Sequence, residues 1–360
     1  MAVDLTRIFE YVDHHTDGIV LNGFSDFYQE ALNILPRKPG LLAPTEVFPN
    51  GDGETLVIPD KIDGKPVTSI GDCAFASMFF SSIQLPATLR TIKSRAFANN
   101  RLLKTVKLGN AVARIDDRAF IGCSSLTEIN LPDSLVSIGR KAFQYCGSLA
   151  EIRLPKRLAL LEEKAFNSSG IRSLETPRTL SMIDSSTFAA CKNLTTVKLA
   201  EGIVEIHENA FSRCSSLRSV RFSPSLIGID ERAFAECNSL EFLDLPKGLL
   251  QIGDAAFWGC ENLRYALIPP SVENIGDGAF AGIKGILDVD QENPYYKSVG
   301  DMLLTKDGKK LLSFPGGVHY REIPEGVEEI ANYAFFKFRR RPPLKYPKSL
   351  RRVEPEAYPN

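Results

Sequence analysis

The chain has 360 residues, of which 44% are apolar and 24% are charged, and its formal net charge at pH 7 is −1. Because positive and negative charges nearly balance, the protein as a whole is not expected to bind DNA, RNA or a membrane surface electrostatically. No stretch approaches the roughly 20 consecutive apolar residues that a membrane-spanning helix requires, so no membrane span is predicted.

Residues 1–54 differ from the rest of the chain and are predicted to form a partly helical N-terminal cap. Apolar residues recur at helical spacing in residues 5–12 and again in residues 24–35. Between these segments, residues 18–21 (GIVL) are interpreted as a short edge strand. An array of stacked repeats needs its first open layer covered, which favours a cap at this end.

The N-terminal stretch also bears on localisation. Residues 1–18 carry four acidic side chains and no unbroken apolar core, so this stretch is not a secretory signal peptide. If it is the native start of the protein, we expect a cytoplasmic location.

From residue 55 onward the sequence is repetitive. An Ala-Phe dipeptide, or a close variant of it, recurs at spacings of 22 or 23 residues, and the pattern resumes after one longer gap. Its aromatic residues are Phe75, Phe97, Phe120, Phe143, Phe166, Phe188, Phe211, Phe234, Phe257, Phe280, Phe335 and Tyr358. Such periodicity predicts an array of about twelve repeats.

Each repeat contains a segment of the form S-L-x-x-I-x-L-P, for example SLTEINLP at residues 125–132. Its alternation of apolar and polar residues predicts a short strand with one buried face, and the proline marks the end of the strand. The rest of the repeat supplies a second row of apolar side chains and turns the chain back. One repeat cannot bury both rows, whereas stacked repeats cover one another, so we predict a solenoid with one parallel sheet along one face.

These motifs carry a family resemblance. The L-x-x-I-x-L strand resembles a leucine-rich repeat, and the form I-G-x-x-A-F-x-x-C-x-S-L resembles the BspA-like class of that superfamily. Residues 58–75 are similar to the usual start of the first repeat in this family, and residues 293–317 are similar to a hairpin insertion near the end of such arrays.

The resemblance implies a fold and a setting for residues 55–360. The expected fold is an α/β-type, mostly β leucine-rich-repeat solenoid, a curved right-handed array of about 12 repeats with its parallel sheet on the concave face. The resemblance also implies a surface or secreted protein that binds host or matrix proteins, in contrast to the cytoplasmic location expected from the N-terminal residues.

Six of the seven cysteines fall at one position of the repeat, three residues after the aromatic ring. They are Cys123, Cys146, Cys191, Cys214, Cys237 and Cys260. Because Asn100, Ser169 and Ile283 occupy this position in other repeats, we interpret it as a small packing slot for reduced, buried thiols, not as a metal site. A disulfide between neighbouring repeats is the alternative, although it requires a specific geometry.

Motifs for catalysis or cofactor binding are absent from the sequence. It contains no P-loop, Rossmann, H-E-x-x-H or G-x-S-x-G pattern. The carboxylates fall at exposed repeat positions, so no acid–base pair can be argued, and His207 is interpreted as a residue at the solvent edge. We therefore predict no catalytic, cofactor-binding or metal-binding residue and no enzyme activity.

The outward positions of the predicted strands are the candidate binding surface. Most of them are small, polar or mixed in charge, but two aromatic residues and one leucine lie on adjacent strands near the C-terminal half. Exposed apolar groups with aromatics are favoured at interfaces, and charged residues nearby can form a rim. The predicted partner-binding residues are Lys198, Arg221, Phe242, Asp244, Tyr265 and Leu267.

Residues 290–320 interrupt the array and predict a β-hairpin. Residues 302–304 and 311–314 flank the sequence KDGK at 306–309, and Asp-Gly is a strong hairpin-turn signal. Two interpretations are open. The insertion, with Tyr295 and Tyr296, either covers the apolar residues of the strand face or leaves them available to a partner.

The segment 337–352 is basic, with aromatic and proline residues interleaved. One interpretation is a contact with phosphate or an anionic surface. The favoured one is that charge and proline keep the open end of the array from pairing with another chain, and no nucleic-acid partner is otherwise expected.

The sequence is compatible with two functions. The leading prediction is a non-enzymatic scaffold that binds a protein on the concave strand face. The alternative is a cell-surface or secreted adhesin that recognises a host or matrix protein or a glycan.

Overall fold

The computed structural model describes residues 9–13, 18–24, 55–314, 322–336 and 345–358. Every regular element in these residues is a β-strand, and none of them forms a helix with the length and apolar character to cross a membrane. The chain divides into two compact units, Met1–Ile171 (unit 1) and Arg172–Asn360 (unit 2), and each is described by itself.

Unit 1 consists of short strands from successive repeats together with two strands from the N-terminal segment. The strands of unit 1 are β1 (Phe9–Asp13), β2 (Ile19–Phe24), β3 (Thr55–Val57), β4 (Lys61–Ile62), β5 (Lys65–Ile70), β6 (Ser82–Gln84), β7 (Thr91–Ile92), β8 (Thr105–Lys107), β9 (Arg114–Ile115), β10 (Glu128–Ile129), β11 (Ser137–Ile138) and β12 (Leu160–Leu161).

Most of these strands form two parallel ladders, whereas β4 pairs antiparallel with β5. The long ladder, with order β10-β8-β6-β3, is built from the predicted S-L-x-x-I-x-L segments, and the short ladder runs β5-β7-β9-β11-β12. Equivalent positions of successive repeats pair, as Ile83 does with Val106. The stacked parallel strands were predicted, whereas the short ladder, a second sheet, was not.

The N-terminal strands extend the short ladder. β1 pairs antiparallel with β2, and β2 pairs parallel with β5. The predicted strand at residues 18–21 is therefore confirmed as β2, but it is not the edge strand, because β1 lies outside it. The predicted helix at residues 5–12 is wrong for residues 9–12, which lie in β1. The remainder of both predicted helices lies outside the described residues, and the cap as a whole stays a prediction.

The phenylalanines of unit 1 form one continuous stack at its centre. From Phe75 to Phe166, neighbouring ring centroids are 5.1–5.7 Å apart and the ring planes differ by 4–14°. At the N-terminal end the ring of Phe9 meets Phe75 edge-on at 6.4 Å. Centroid distances of this size are favourable for aromatic pairs, so the recurring ring that reveals the repeat also fills its core.

The turn around each ring adds a third set of hydrogen bonds between repeats. Arg118 and Gly122, two residues before and after Phe120, have positive φ values of 56° and 71°. In this turn the Phe120 N–H donates to the Ala142 carbonyl of the next repeat at 2.8 Å. The backbone polar groups of the turn are thereby paired between layers, as buried backbone groups require.

Unit 2 repeats this construction and adds the insertion. The strands of unit 2 are β13 (Ser173–Glu175), β14 (Met182–Ile183), β15 (Thr196–Lys198), β16 (Glu205–Ile206), β17 (Ser219–Arg221), β18 (Gly228–Ile229), β19 (Phe242–Asp244), β20 (Gln251–Ile252), β21 (Tyr265–Ile268), β22 (Asn274–Ile275), β23 (Ile286–Val289), β24 (Tyr296–Val299), β25 (Met302–Thr305), β26 (Lys310–Ser313), β27 (Glu329–Ile330) and β28 (Arg352–Val353).

The long ladder of unit 2 is split into two sheets, β13-β15-β17 and β19-β21-β23, whereas the short ladder β14-β16-β18-β20-β22 is continuous. From Phe188 to Phe280 the rings stack with centroids 5.2–5.5 Å apart. At the split, Phe222 takes the position that leucine has in other repeats, and its ring meets Phe234 edge-on at 5.7 Å.

The predicted hairpin is confirmed, since β25 and β26 pair antiparallel. A third strand that was not predicted, β24, pairs with β25 on its other side. The repeat then resumes, because β26 pairs parallel with β27 and β27 with β28. Phe335 and Tyr358 stack with centroids 4.4 Å apart, as the spacing predicted.

Candidate functional site

The long ladder of unit 2 places alternate side chains on opposite sides of the sheet. In β19, Leu243 is buried while Phe242 and Asp244 on either side of it are exposed. In β21, Tyr265 and Leu267 are exposed in the same way. The period-2 alternation of the sequence therefore produces the outward positions that were predicted.

The strand register brings the large apolar side chains together. Phe242 lies opposite Tyr265, and Tyr265 lies opposite Ile286 on β23. The exposed fractions are 57% for Phe242, 38% for Tyr265, 38% for Leu267 and 48% for Ile286. We term these four residues the apolar patch. Contiguous exposed apolar groups of this kind are unusual on a solvated surface and mark interaction sites.

Ile286 was missed at the sequence level. Its distance from Tyr265 is 21 residues (286 − 265), shorter than the spacing of 22 or 23 in the rest of the array, so the outward column was read as ending at Tyr265. The signal that could have found it is the alternation in residues 286–289 (ILDV), where Leu287 is buried and Ile286 is exposed.

The predicted rim cations lie in the neighbouring sheet. Lys198 on β15 pairs in register with Arg221 on β17, and both are exposed. Strand β17 lies beside β19 but belongs to the other sheet of the long ladder. Lys198 Nζ lies 2.6 Å from the Glu175 carboxylate. This hydrogen bond lowers the pKa of Glu175, and the charges of Lys198 and Arg221 add to the effect.

The predicted Asp244 does lie beside the apolar patch. It is directly opposite Leu267 in the ladder, and Asp288 on β23 occupies the equivalent position on the other side of Leu267. The structure thus brings Phe242, Asp244, Tyr265 and Leu267 into one sheet, apart from Lys198 and Arg221.

The insertion does not cover the patch with its tyrosines. Tyr296 is buried, and its hydroxyl accepts a hydrogen bond from the Ile275 N–H at 3.0 Å and donates to the Glu273 carbonyl at 3.2 Å. Tyr295 is 46% exposed. The ring of Tyr296 is therefore directed to β22 of the short ladder, and the interpretation of the insertion as a cover for the patch is wrong.

The six cysteines of the packing slot are buried and do not form disulfides with one another, and Cys73 is exposed. The disulfide alternative is therefore wrong. The thiols of Cys123, Cys146, Cys214, Cys237 and Cys260 donate to a backbone carbonyl of the preceding repeat, as Cys123 Sγ does to Phe97 at 3.2 Å. Burial raises the pKa of the Cys123 and Cys260 thiols to about 12. A thiol in this state is protonated near neutral pH and is a poor nucleophile and metal ligand.

His207 lies among carboxylates on the side of the short ladder. Its Nε2 is 3.1 Å from Glu205 Oε2, its Nδ1 is 3.6 Å from Asp184 Oδ1, and its side chain is partly exposed. Burial raises the pKa of the neighbouring Asp230, against the charge of His207, which lowers it. In the part of the chain that the structure describes, no three His, Cys, Asp or Glu side chains are arranged to hold a metal ion.

The basic C-terminal segment is described only from residue 345 onward, and residues 337–344 lie outside the described residues. Three of the four described cations are paired with glutamates of the array. These ion pairs are Lys345–Glu322 at 3.1 Å, Arg351–Glu328 at 3.2 Å and Arg352–Glu354 at 2.9 Å. Their charges are engaged within the array, which supports a structural interpretation of this part of the segment.

Comparison with known protein families identifies the type of repeat. The family described as BspA type leucine-rich repeat region matches residues 45–172 and 160–287 of the chain, with six copies. Together these ranges span more than half of the sequence. A search of curated proteins gave no match.

Solved structures of leucine-rich repeat proteins resemble the chain. A leucine-rich repeat protein from Bacteroides ovatus is 19% identical with a TM-score of 0.67, and the alignment covers 98% of this chain and 90% of that chain. The leucine-rich repeat protein TpLRR of T. pallidum is 24% identical with a TM-score of 0.44, with 65% and 88% covered. A leucine rich cell surface protein from Faecalibacterium prausnitzii is 22% identical with a TM-score of 0.38, with 78% and 93% covered. Only the first of these structures has a TM-score above 0.5, and at 19% identity its likeness to the chain shows the fold alone.

Proposed function

Because the chain belongs to the BspA-type leucine-rich repeat family, we propose that it is a non-enzymatic scaffold that binds a protein partner through the long ladder of unit 2. The single observation that carries the proposal is the exposure of Phe242, Tyr265, Leu267 and Ile286 side by side on adjacent strands. Repeat arrays of this kind use their extended strand surfaces for binding.

The composition of the patch suits a binding anchor. Aromatic side chains bury a large area with few rotatable bonds, and they dominate the energetics of many interfaces. Specific interfaces bury about 800 Å² on each partner, which is more than four side chains provide. The patch therefore serves as the anchor, and Lys198, Arg221 and Asp244 lie where they can contribute polar contacts around it.

A scaffold role is also consistent with the hydrogen bonds and ion pairs that the titratable groups form within the array. The thiols of the packing slot donate to backbone carbonyls, as Cys260 does to Phe234 at 3.3 Å. Many of the surface cations pair with glutamates one repeat away, as Lys284 does with Glu261 at 3.3 Å. Groups engaged in this way hold the array together, and they are not poised for acid–base or nucleophilic work.

The test is an affinity capture with three forms of the protein. The first is the wild type, and the second is the variant Phe242→Ser/Tyr265→Ser. The third, Ile227→Ser/Leu250→Ser, removes two exposed apolar side chains (43% and 42% exposed) that come directly before β18 and β20 of the short ladder of the same unit. We expect a set of proteins that the wild type and the short-ladder variant retain and that the patch variant loses. If all three forms retain the same proteins, the patch is not the binding surface.

A further inference from the structure

We infer that the apolar patch binds a protein segment in which an apolar side chain stands next to a lysine or an arginine. The inference rests on the proposed function, because it names the chemistry of the partner for that same surface. It follows from two carboxylates beside the patch and from the way in which the surrounding cations are engaged.

Two aspartates flank the leucine of the patch. Asp244 lies opposite Leu267 on one neighbouring strand, and Asp288 lies opposite it on the other. Because adjacent strands are about 4.8 Å apart, the two aspartates stand roughly 10 Å apart with Leu267 between them. A side chain that lies across Leu267 is therefore within reach of either carboxylate.

Neither carboxylate forms an ion pair with a lysine or arginine among the residues that the structure describes. Asp288 is instead held by neutral donors, the Ser298 hydroxyl at 2.8 Å and the Val289 N–H at 2.9 Å. These hydrogen bonds fix the position of the carboxylate and leave its charge to act on whatever approaches the patch.

Two of the cations that lie close to the patch along the chain are engaged by other acids. Arg264 lies 3.6 Å from Glu241, and Lys284 lies 3.3 Å from Glu261. The charge of Arg221, on the neighbouring sheet, acts on Glu175 and helps to lower the pKa of that carboxyl. Within the three strands that carry the patch, Asp244 and Asp288 are the only charged residues, so the patch is bordered by negative charge on its own sheet, whereas Arg221 lies on the neighbouring sheet.

Lysine and arginine side chains match such a surface. Their aliphatic stems pack on apolar groups while the charged heads remain near water or a carboxylate, and hydrogen bonds between cation and carboxylate are charge-assisted. The faces of Phe242 and Tyr265 attract cations as well. A neighbouring apolar side chain of the same segment can then pack between Phe242, Tyr265 and Ile286. An acidic segment or a sulfated glycan would meet like-charge repulsion.

The experiment is a selection from a random 12-residue peptide library on immobilised wild-type protein, with counter-selection on Phe242→Ser/Tyr265→Ser. We expect enriched peptides in which Lys or Arg lies within two positions of Leu, Ile, Phe or Trp, and in which Asp and Glu are depleted. One enriched peptide, synthesised with a fluorescent label, is then titrated with each protein form in low and in moderate salt.

The titration uses a variant that removes the two charges and keeps the side-chain shapes. We expect Asp244→Asn/Asp288→Asn to weaken binding of the selected peptide by about two- to tenfold in low salt, since exposed charge pairs are individually modest, and the difference to shrink when salt is added. The matched control, Glu128→Gln/Glu151→Gln, removes two charges from unit 1 and should leave the affinity unchanged.

The outcomes separate the inference from the proposed function. A patch-dependent consensus that is neutral or acidic overturns the inference and leaves the scaffold role standing, and so does an affinity that Asp244→Asn/Asp288→Asn leaves unchanged. If no enriched peptide depends on Phe242 and Tyr265 for binding, both the inference and the proposed function are overturned. Retention of heparin that requires Phe242 and Tyr265 would likewise overturn the inference, because it would assign the patch to a polyanion.

Discussion

The thiol of Cys237 donates a hydrogen bond to the backbone carbonyl of Phe211, 3.3 Å away and one repeat earlier in the stack. Cys123, Cys146, Cys214 and Cys260 make the same contact at 3.2 or 3.3 Å. The slot after each ring therefore has a polar role as well as a packing one, because its thiol is a second donor to a buried carbonyl. The Phe211 carbonyl, for example, also accepts the Cys214 N–H at 3.2 Å. Asn100 takes over this task in its repeat, donating to Phe75 and Phe97 at 2.8 and 2.9 Å.

The first prediction concerns this donor. Cys237→Ala removes this thiol donor while the Phe211 carbonyl keeps the Cys214 N–H at 3.2 Å, so we expect the free energy of unfolding to fall by about 0.5–1.5 kcal/mol, the net value of one hydrogen bond. Cys237→Ser keeps a donor, and the slot accepts serine, since Ser169 fills it in another repeat and is buried. Urea denaturation of the two variants checks this. Equal losses for alanine and serine would show that only packing matters here.

The second prediction concerns alkaline pH. Burial raises the pKa of the Cys260 thiol from 9.0 to about 12. Above pH 9 the unfolded chain therefore releases the thiol proton while the folded chain keeps it, so this contribution to stability is complete below pH 9 and is lost as pH rises toward 12. One such thiol contributes a slope of up to about 1.4 kcal/mol per pH unit.

The check for this slope is a comparison of wild type with Cys260→Ser. The serine hydroxyl does not titrate in this range, so the variant should lose less stability than the wild type when urea denaturation is repeated at pH 8 and pH 10. A parallel decline of the two proteins would contradict a raised thiol pKa, because other alkaline groups are common to both.

The third prediction concerns thiol reactivity. Cys73 is exposed, and the other six cysteines are buried. A disulfide-exchange reagent such as Ellman's reagent should therefore react with one thiol quickly in native protein and with all seven in denaturant, because the thiolate must form before it can react. In Cys73→Ser the fast phase should vanish. Rapid reaction of several thiols in that variant would contradict the burial of the packing slot.

The sequence predicted the long ladder because each of its strands alternates around a buried central residue, as β17 does around Val220. The short ladder carried no comparable signal. A strand such as Gln251–Ile252 has only two residues, of which one is buried, and no periodicity can be read from so short a run. Its pairing follows from the stacking of whole repeats, which is a tertiary effect.

The N-terminal strand β1 shows that a local pattern can also predict the wrong element. Phe9 and Val12 are three residues apart, which matches one face of a helix. The ring of Phe9 instead packs against Phe75, and the backbone around it pairs with β2. Tertiary pairing at the end of the ladder overrides the local helical pattern, which by itself carries little free energy.

The candidate surface was predictable where the repeat was regular. Phe242, Tyr265 and Leu267 followed from position and residue type alone. Ile286 was missed because the repeat before the insertion is shorter, and the role of Asp288 followed only from its register with Leu267. That the insertion leaves the patch exposed depends on where the ring of Tyr296 packs, which no local pattern specifies.

The fourth prediction compares the stability effects of exposed and buried side chains on β19 and β21. Phe242 and Tyr265 are 57% and 38% exposed, whereas Leu243 between the outward positions is 3% exposed. We expect Phe242→Ser/Tyr265→Ser to shift the melting temperature by little, because surface changes are usually within about 0.5 kcal/mol each. Leu243→Ala should destabilise by about 2–5 kcal/mol. Circular dichroism melts test this, and a large loss for the surface pair would mean that the patch is packed against other residues of the chain.

The last prediction concerns Asp230. Burial raises the pKa of its carboxyl above 3.8, the charges of Glu205 and Glu208 add to the rise, and the charge of His207 opposes it. A raised carboxyl pKa means that the ionised form is less favourable in the folded state. The contribution of Asp230 to stability is therefore fully present below pH 3.8 and is lost as pH rises through the folded-state pKa.

Asp230→Asn should accordingly raise the melting temperature at pH 7, where the wild type carries this partly buried charge, and should have little effect near pH 3, where the carboxyl is protonated in both states. Asp244→Asn, at an exposed carboxylate of the long ladder, is the control and should change little at either pH. If Asp230→Asn gives the same shift at pH 3 and at pH 7, the effect is one of packing, and the carboxylate charge at this position does not limit the stability of the array.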